Sequence, residues 1–303
     1  MAIPKSRFFP DPELTDEDGL LFIGGELAPD IVLDALVHGI FPWPVMTTEE
    51  DYFFDNETQE RTSEELNVGE SNYGYAQNCL NSEKNVDLNS FAELSPRVRN
   101  AIWEGKTAFS LLSLPEANST LAWWSPDPRA VFDLDNIHIP RRLKRTMSGK
   151  KFVVTYDQAF PEVMIACATS ENRDVEGTWI TREFYNSYCR LHELGFAHSV
   201  ECWQETIDER LDPSGNQTKR KLVGGLYGVA LNGFFDGESM FSIVTDASKI
   251  ALFSLLLRLK EKGFRLFDLQ ILNPHTKSLG GIEIPRSDYL ARLQNALETR
   301  VRF

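Results

Sequence analysis

The first long apolar pattern runs over residues 19–45, GLLFIGGELAPDIVLDALVHGIFPWPV, where Gly24 and Gly25 read as a turn and the next segment as a helix. Ile31, Leu33, Ala35, Leu36 and Val37 supply its apolar contacts, Asp30 or the Ala28-Pro29 turn its start, and Gly39 its end. Phe41, Pro42, Trp43 and Pro44 then form a rigid aromatic corner, the second proline holding Trp43 extended. Trp43 reads either as core or as a flat face on which a base can stack. After a polar stretch the body resumes at LAWWSPDPRAVFDLDNIHIP, where alternation puts Trp123 and Trp124 on opposite sides of an extended segment. KFVVTYDQAFPEVMIACATS reads as strand, turn and helix, and ITREFYNSYCRLHELG as a helix with Phe184, Tyr188 and Leu191 at helical spacings and Gly195 as its stop. AHSVECWQE alternates as a strand. LVGGLYGVALNGFFDGESMFS supplies two more strands about an Asn232-Gly233 hairpin. The amphipathic helix ASKIALFSLLLRLKEK, closed by Gly263, delivers the chain to the strand FRLFDLQIL. This order predicts an α+β fold, a mixed sheet with helices on its faces.

Polar residues interrupt the apolar runs at three places. In Leu266 to Arg286, LFDLQILNPHTKSLGGIEIPR, Asp268 and Gln270 lie two apart and share one face of an extended strand, with Asn273 close behind. They are either satisfied by turn backbone or aimed at one bound substrate. Glu238, between Gly237 and Ser239, is a carboxylate in an apolar neighbourhood. Gly224 and Gly225, inside a good strand, mark a bulge or a close approach by a ligand.

Composition changes this picture in two respects. With 303 residues, 42% hydrophobic and 25% charged, the chain has the make-up of a soluble globular protein. It shows no apolar run of transmembrane length and no signal-peptide apolar region, so a cytosolic protein without membrane contact is expected. Cys79, Cys167, Cys189 and Cys202 lack CxxC spacing, and His38, His138, His192, His198 and His275 lack HExxH spacing, so neither a disulfide framework nor a metal is expected. The net charge of -14 is uneven: Thr47 to Leu121 holds 14 acidic and 5 basic residues. That stretch reads as an acidic insertion at about 47–119, with a short helix, SPRVRNAIWEG, packing back through Trp103. Arg141, Arg142, Lys144, Arg145, Lys150 and Lys151 form the opposite pattern, a phosphate-facing patch or a solvated face.

GLLFIGGEL, GIFPW, WWSPDPRAVF, EGTWIT, GFAHSVECW, LVGGLYGVA, FFDGESMFS, ASKIAL and FDLQILNPHTKSLGGIEIPRSDYL occur in this order. In them the chain resembles the leucyl/phenylalanyl-tRNA-protein transferases, over residues 19–45 and 121–290. The resemblance implies a small N-terminal domain (1–136) carrying the insertion and a larger GNAT-like catalytic domain (137–303). It implies transfer of Leu or Phe, with some leakage of Met, from aminoacyl-tRNA to proteins with N-terminal Arg or Lys, which in bacteria marks them for degradation. No cofactor is implied. Carried over by position, Trp43 and Trp179 stack on the terminal adenosine of the tRNA. Phe235, Gly237 and Met240 line the aminoacyl side-chain pocket, with Ser248 and Leu252 as a wall. Asp268, Gln270 and Glu238 are the catalytic group, Asn273 lies nearby, and Arg141, Arg142, Lys144 and Arg145 face acceptor-stem phosphates. Within this set Asp268 is expected to polarise the Gln270 amide, Gln270 to orient the attacking amine, and Glu238 to meet the cationic acceptor. The acidic segment is the main departure, since the family has a short link there. Two other readings stay open. An acyl-coenzyme A dependent N-acyltransferase wants a glycine-rich turn, which SIVTDAS lacks. An RNA-binding module built on Trp43, Trp123, Trp124, Trp179 and residues 141–151 leaves Asp268, Gln270 and Glu238 without a purpose.

Overall fold

The computed structural model describes residues 5–46, 119–149, 151–169, 178–207 and 218–303. The N-terminal apolar run becomes strand β1 (Leu20–Ile23) and helix α1 (Pro29–Val37). Pro29 sits in the first turn, where its missing N–H costs nothing, and Gly39 turns the chain at φ +76°. Strands β2 (Phe41–Pro42), β3 (Val45–Met46), β4 (Ser119–Thr120) and β5 (Ala122–Trp124) follow. β1, β5 and β2 make a small antiparallel sheet, while β3 pairs with β4, so that the residues flanking 47–118 lie side by side. The helix expected at SPRVRNAIWEG lies outside the described residues.

The larger sheet begins with β6 (Arg129–Phe132), which leads through helix α2 (Arg141–Met147) to β7 (Phe152–Tyr156). Helices α3 (Phe160–Thr169) and α4 (Arg182–Glu193) come next, then the long strands β8 (Ala197–Ile207) and β9 (Thr218–Leu231). Strand β10 (Phe234–Ser242), helix α5 (Ala247–Lys262) and strand β11 (Leu266–Gln270) form a parallel crossover unit. The chain finishes with α6 (Pro274–Ser278), β12 (Ile282–Ile284) and α7 (Arg286–Glu298). The strand order is β12-β6-β11-β10-β9-β8-β7, antiparallel throughout except for β10 with β11. This is the expected mixed sheet flanked by helices. The Asn232-Gly233 hairpin is present, with Asn232 at φ +54°.

Two apolar cores cover the two faces. Side chains of α1, α3, α4 and α7, including Phe160, Val163, Tyr188, Tyr289 and Leu293, pack on one. Side chains of α5 and α2, including Ile250, Leu252, Phe253, Leu256 and Leu143, pack on the other. Gly224 explains how α5 comes so near: a Cβ there would stand 2.6 Å from the Cβ of Ala247. Gly225 is likewise closed off by the Val200 carbonyl oxygen at 2.7 Å. Of the two readings of the glycine pair, a bulge or a close approach by a ligand, the bulge is present, since the β8/β9 register shifts beside Gly224, and the close approaches come from a helix and a neighbouring strand.

The feature that positions the site is the short β10/β11 ladder. It runs from Phe234 opposite Leu266 to Asp236 opposite Asp268 and ends there. β10 continues along β9, while β11 bulges between Asp268 and Gln270 to set Gln270 opposite Ala130 of β6.

Candidate active site

Asp268 is fully buried and its carboxylate is enclosed by donors. Arg129 grips it with two hydrogen bonds, Nε to Oδ1 at 2.9 Å and Nη2 to Oδ2 at 2.6 Å. The Tyr289 hydroxyl donates to Oδ2 at 2.7 Å and the Gln270 backbone N–H to Oδ1 at 2.8 Å. Arg129 is itself 1% exposed, donates through Nη1 to the Gly39 carbonyl at 3.0 Å, and lies against the rings of Phe41 and Tyr289 at 4.6 and 4.5 Å. Burial works against its charge, but the Asp268 carboxylate more than offsets this and holds the guanidinium protonated. Charge-assisted, bidentate bonds of this kind are the strongest in the molecule's repertoire. The expectation that Asp268 polarises the Gln270 side chain is corrected here. Asp268 accepts from the Gln270 backbone, and its contacts tie β6, β11 and α7 together.

The Gln270 side chain turns elsewhere because its backbone sits at φ +64°, beyond the bulge. Its amide nitrogen donates to both oxygens of Asp236, at 3.2 and 3.3 Å, and to Oε2 of Glu238 at 3.4 Å. Glu238 also accepts the Tyr188 hydroxyl at 2.6 Å and is hydrogen-bonded to Asp236. Burial pushes the Glu238 carboxyl up to about 7, while the hydrogen bonds from Tyr188, Asp236 and Gln270 work the other way. Burial, the Glu238 charge and then the Asp268 charge raise Asp236 well above the usual carboxylate range. The outcome is a buried, acid-rich cluster in which Asp236 and Glu238 are held above the ordinary carboxylate range, beside the Arg129–Asp268 ion pair.

The expected pocket residues gather on the opposite face of the sheet. Phe235 stacks on Phe267 at 5.4 Å, and Met240 and Leu252 join the same core. Gly237 makes room for that ring, since a Cβ would sit 2.8 Å from Phe267. A bulge at Glu238 lets Asp236 and Glu238 face Tyr188 while returning Met240 to the α5 side. The two sets are joined along β10 itself. Ser248 is buried at the start of α5, its backbone N–H bonded to the Ser242 hydroxyl at 3.3 Å.

Trp43 and Trp179, both half-buried, stack on each other with centroids 5.3 Å apart and planes inclined by 30°. Trp179 meets Phe184 edge-on at 5.3 Å, and Phe184 stacks on Tyr188 at 6.2 Å. An aromatic run thus leads from the tryptophan pair to Glu238. Trp123 does not belong to it: it is fully buried, tilted against Phe9 at 4.6 Å, and bonded to the Gly24 carbonyl. This removes one base-stacking residue from the RNA-module reading. Arg141, Arg142, Lys144 and Arg145 are exposed around the buried Leu143 of α2, which packs against α5. The structure therefore sets them on the other face of the sheet from Tyr188. Asn273 is used as the cap of α6, accepting the Thr276 N–H at 2.8 Å, and does not join the cluster.

Sequence reasoning missed Arg129, Asp236, Tyr188 and Tyr289 as members of the site. Asp236 carried a usable signal, two residues before Glu238 on the same strand face. Arg129 carried another, a lone cation opening the apolar run RAVF. Among the described residues no group of three or more His, Cys, Asp or Glu side chains is placed to hold a metal ion, and no helix is long and apolar enough to cross a membrane.

A family model described as leucyl/phenylalanyl-tRNA protein transferase matches residues 131–294, which include the whole of the acidic cluster. A leucyl/phenylalanyl-tRNA–protein transferase of Anaeromyxobacter sp. (strain K) is 34% identical over 296 residues, covering 98% of this chain and 91% of its own length. Proteins with the same name from Desulforapulum autotrophicum and Nitratidesulfovibrio vulgaris are 34% and 35% identical, covering 96% and 95% of this chain and 90% and 87% of their own. With a matched family model spanning both β10 and β11 and relatives aligned along nearly the full chain, this protein belongs to the leucyl/phenylalanyl-tRNA–protein transferase family and is an aminoacyltransferase.

Proposed function

We propose that the protein moves Leu or Phe from charged tRNA to the N-terminal α-amine of proteins beginning with Arg or Lys, in the cytoplasm, and so marks them for degradation. The observation that carries this reading is the buried pair Gln270 and Glu238 at the end of the β10/β11 ladder, reached by the aromatic run from Trp43 and Trp179. The terminal adenosine stacks on the open face of the tryptophan pair, which brings the aminoacyl ester to the Tyr188 side of the sheet, away from the core that holds Phe235 and Met240. The free amine, with an ordinary pKa of about 7.7 to 8.0, is already partly neutral near pH 7. It attacks the ester carbonyl carbon. A C–N bond forms, the C–O bond to the ribose breaks, and the amine proton passes to the ribose oxygen. Gln270 offers its carbonyl oxygen to an amine hydrogen, and Glu238 supplies the negative charge that draws in a cationic terminus. Asp268, saturated by Arg129, Tyr289 and the Gln270 backbone, holds the frame. An apolar pocket separates side chains by only about 1 to 3 kcal/mol per methylene, so Met transfers slowly as well. Incubation with leucyl-tRNA and peptides beginning with Arg, Lys or Ala tests the reading: transfer to the first two only is expected, and equal transfer to Ala overturns the acceptor assignment.

A further inference from the structure

Asp236, Glu238 and Asp268 crowd one side of the sheet, and Asp236 stands directly opposite Asp268 on the neighbouring strand. Like charges in that position repel. Asp268 resolves its own charge through Arg129. Asp236 instead meets Gln270 and Glu238. Two buried carboxyls in hydrogen-bond contact retain one proton between them, because both cannot be charged. As the neutral acid, Asp236 donates its hydroxyl to Glu238 and receives the Gln270 amide N–H on its carbonyl oxygen.

We propose that Asp236 is a positioning residue of the transfer reaction: it takes the amide N–H of Gln270 and so turns the Gln270 carbonyl oxygen outward, as the acceptor offered to the attacking amine. This rests on the function proposed above. The terminal amide torsion of glutamine is broad and roughly two-fold, so the side chain can present either donor or acceptor unless a partner chooses. Without Asp236, the bond to Glu238 at 3.4 Å is left to make that choice. An amide nitrogen facing the amine would repel its hydrogens and leave its lone pair misdirected. Asn at 236 reproduces the neutral acid's pattern, with an N–H for Glu238 and an oxygen for Gln270.

The test is steady-state leucine transfer from leucyl-tRNA to an Arg-initiated peptide by wild type, Asp236→Ala, Asp236→Asn, Gln270→Ala and the Asp236→Ala/Gln270→Ala double variant. Asp236→Ala is expected to lower kcat by about 10- to 100-fold, the scale of a misplaced reacting group, with KM for leucyl-tRNA within about 2-fold. Asp236→Asn recovers most of the rate. In the Gln270→Ala background the Asp236→Ala change costs less than about 2-fold, since the residue acts through Gln270. An unchanged kcat in Asp236→Ala, losses that multiply in the double variant, or an Asp236→Asn as slow as Asp236→Ala each overturn the proposal while leaving the function standing. A wild type that transfers nothing overturns both.

Discussion

Asp268→Asn separates frame from chemistry. The carboxylate it removes receives two guanidinium bonds at 2.9 and 2.6 Å, the Tyr289 hydroxyl at 2.7 Å and the Gln270 N–H at 2.8 Å. The guanidinium left behind is 1% exposed and cannot turn to water. Breaking one side of a buried ion pair costs about 3 to 5 kcal/mol, because the other charge stays desolvated. The asparagine oxygen keeps one acceptor in place, which puts the expected loss near the lower end, about 3 kcal/mol. At about 2 to 4 °C per kcal/mol for a domain of this order of size, the melting temperature falls by about 6 to 12 °C. Thermal and urea unfolding at pH 7, followed by circular dichroism, measure it beside leucine transfer. A partner substitution sharpens the result: in an Arg129→Met background, Asp268→Leu should cost much less than it does alone, since the pair is then removed together. An Asp268→Asn protein that melts within about 2 °C of wild type yet has lost transfer would refute the reasoning and return Asp268 to the chemistry.

Three further outcomes follow from single contacts. The folded Glu238 carboxyl holds its proton up to about 7 against an ordinary 4.5, so between those values the native state binds more protons and stability falls as pH rises. Glu238→Gln reduces that fall, Asp236 keeping its own share, so the stability difference measured by urea unfolding from about pH 4.5 to 8 moves toward the variant as pH rises, while transfer is lost. Gly224→Ala forces a Cβ to 2.6 Å from Ala247, and overpacking of this sort costs about 1 to 3 kcal/mol, read from the denaturation midpoint. Trp43→Ala removes one ring of the stacked pair and should weaken aminoacyl-tRNA binding by about 5- to 150-fold in a filter-binding assay run below the variant's melting temperature.

The elements were legible because their signals are local. Period 3.6 in α4, the Asn232-Gly233 turn, and Gly263 after α5 each act within a few residues. The mixed sheet followed from their order. What the chain did not show is long-range or conformational. Arg129 meets Asp268 across 139 positions and Tyr188 meets Glu238 across 50, contacts that no periodicity encodes. Asp268 and Gln270 were placed on one strand face by simple alternation, but the bulge and the +64° φ separate their roles, sending one to Arg129 and the other to Asp236. Asn273 reads from the sequence as turn-satisfied or substrate-facing, and Gly224 as a bulge or a ligand approach. The first caps a helix and the second admits one, tasks visible only once the neighbouring segment is in place.

The most direct measurement is the single-turnover rate of leucine transfer from leucyl-tRNA to an Arg-initiated peptide by wild type and Gln270→Ala. Product formation by wild type, slowed about 100-fold or more in Gln270→Ala with tRNA affinity and melting temperature retained, is the predicted result. A Gln270→Ala rate within about 3-fold of wild type would contradict a site built around that amide.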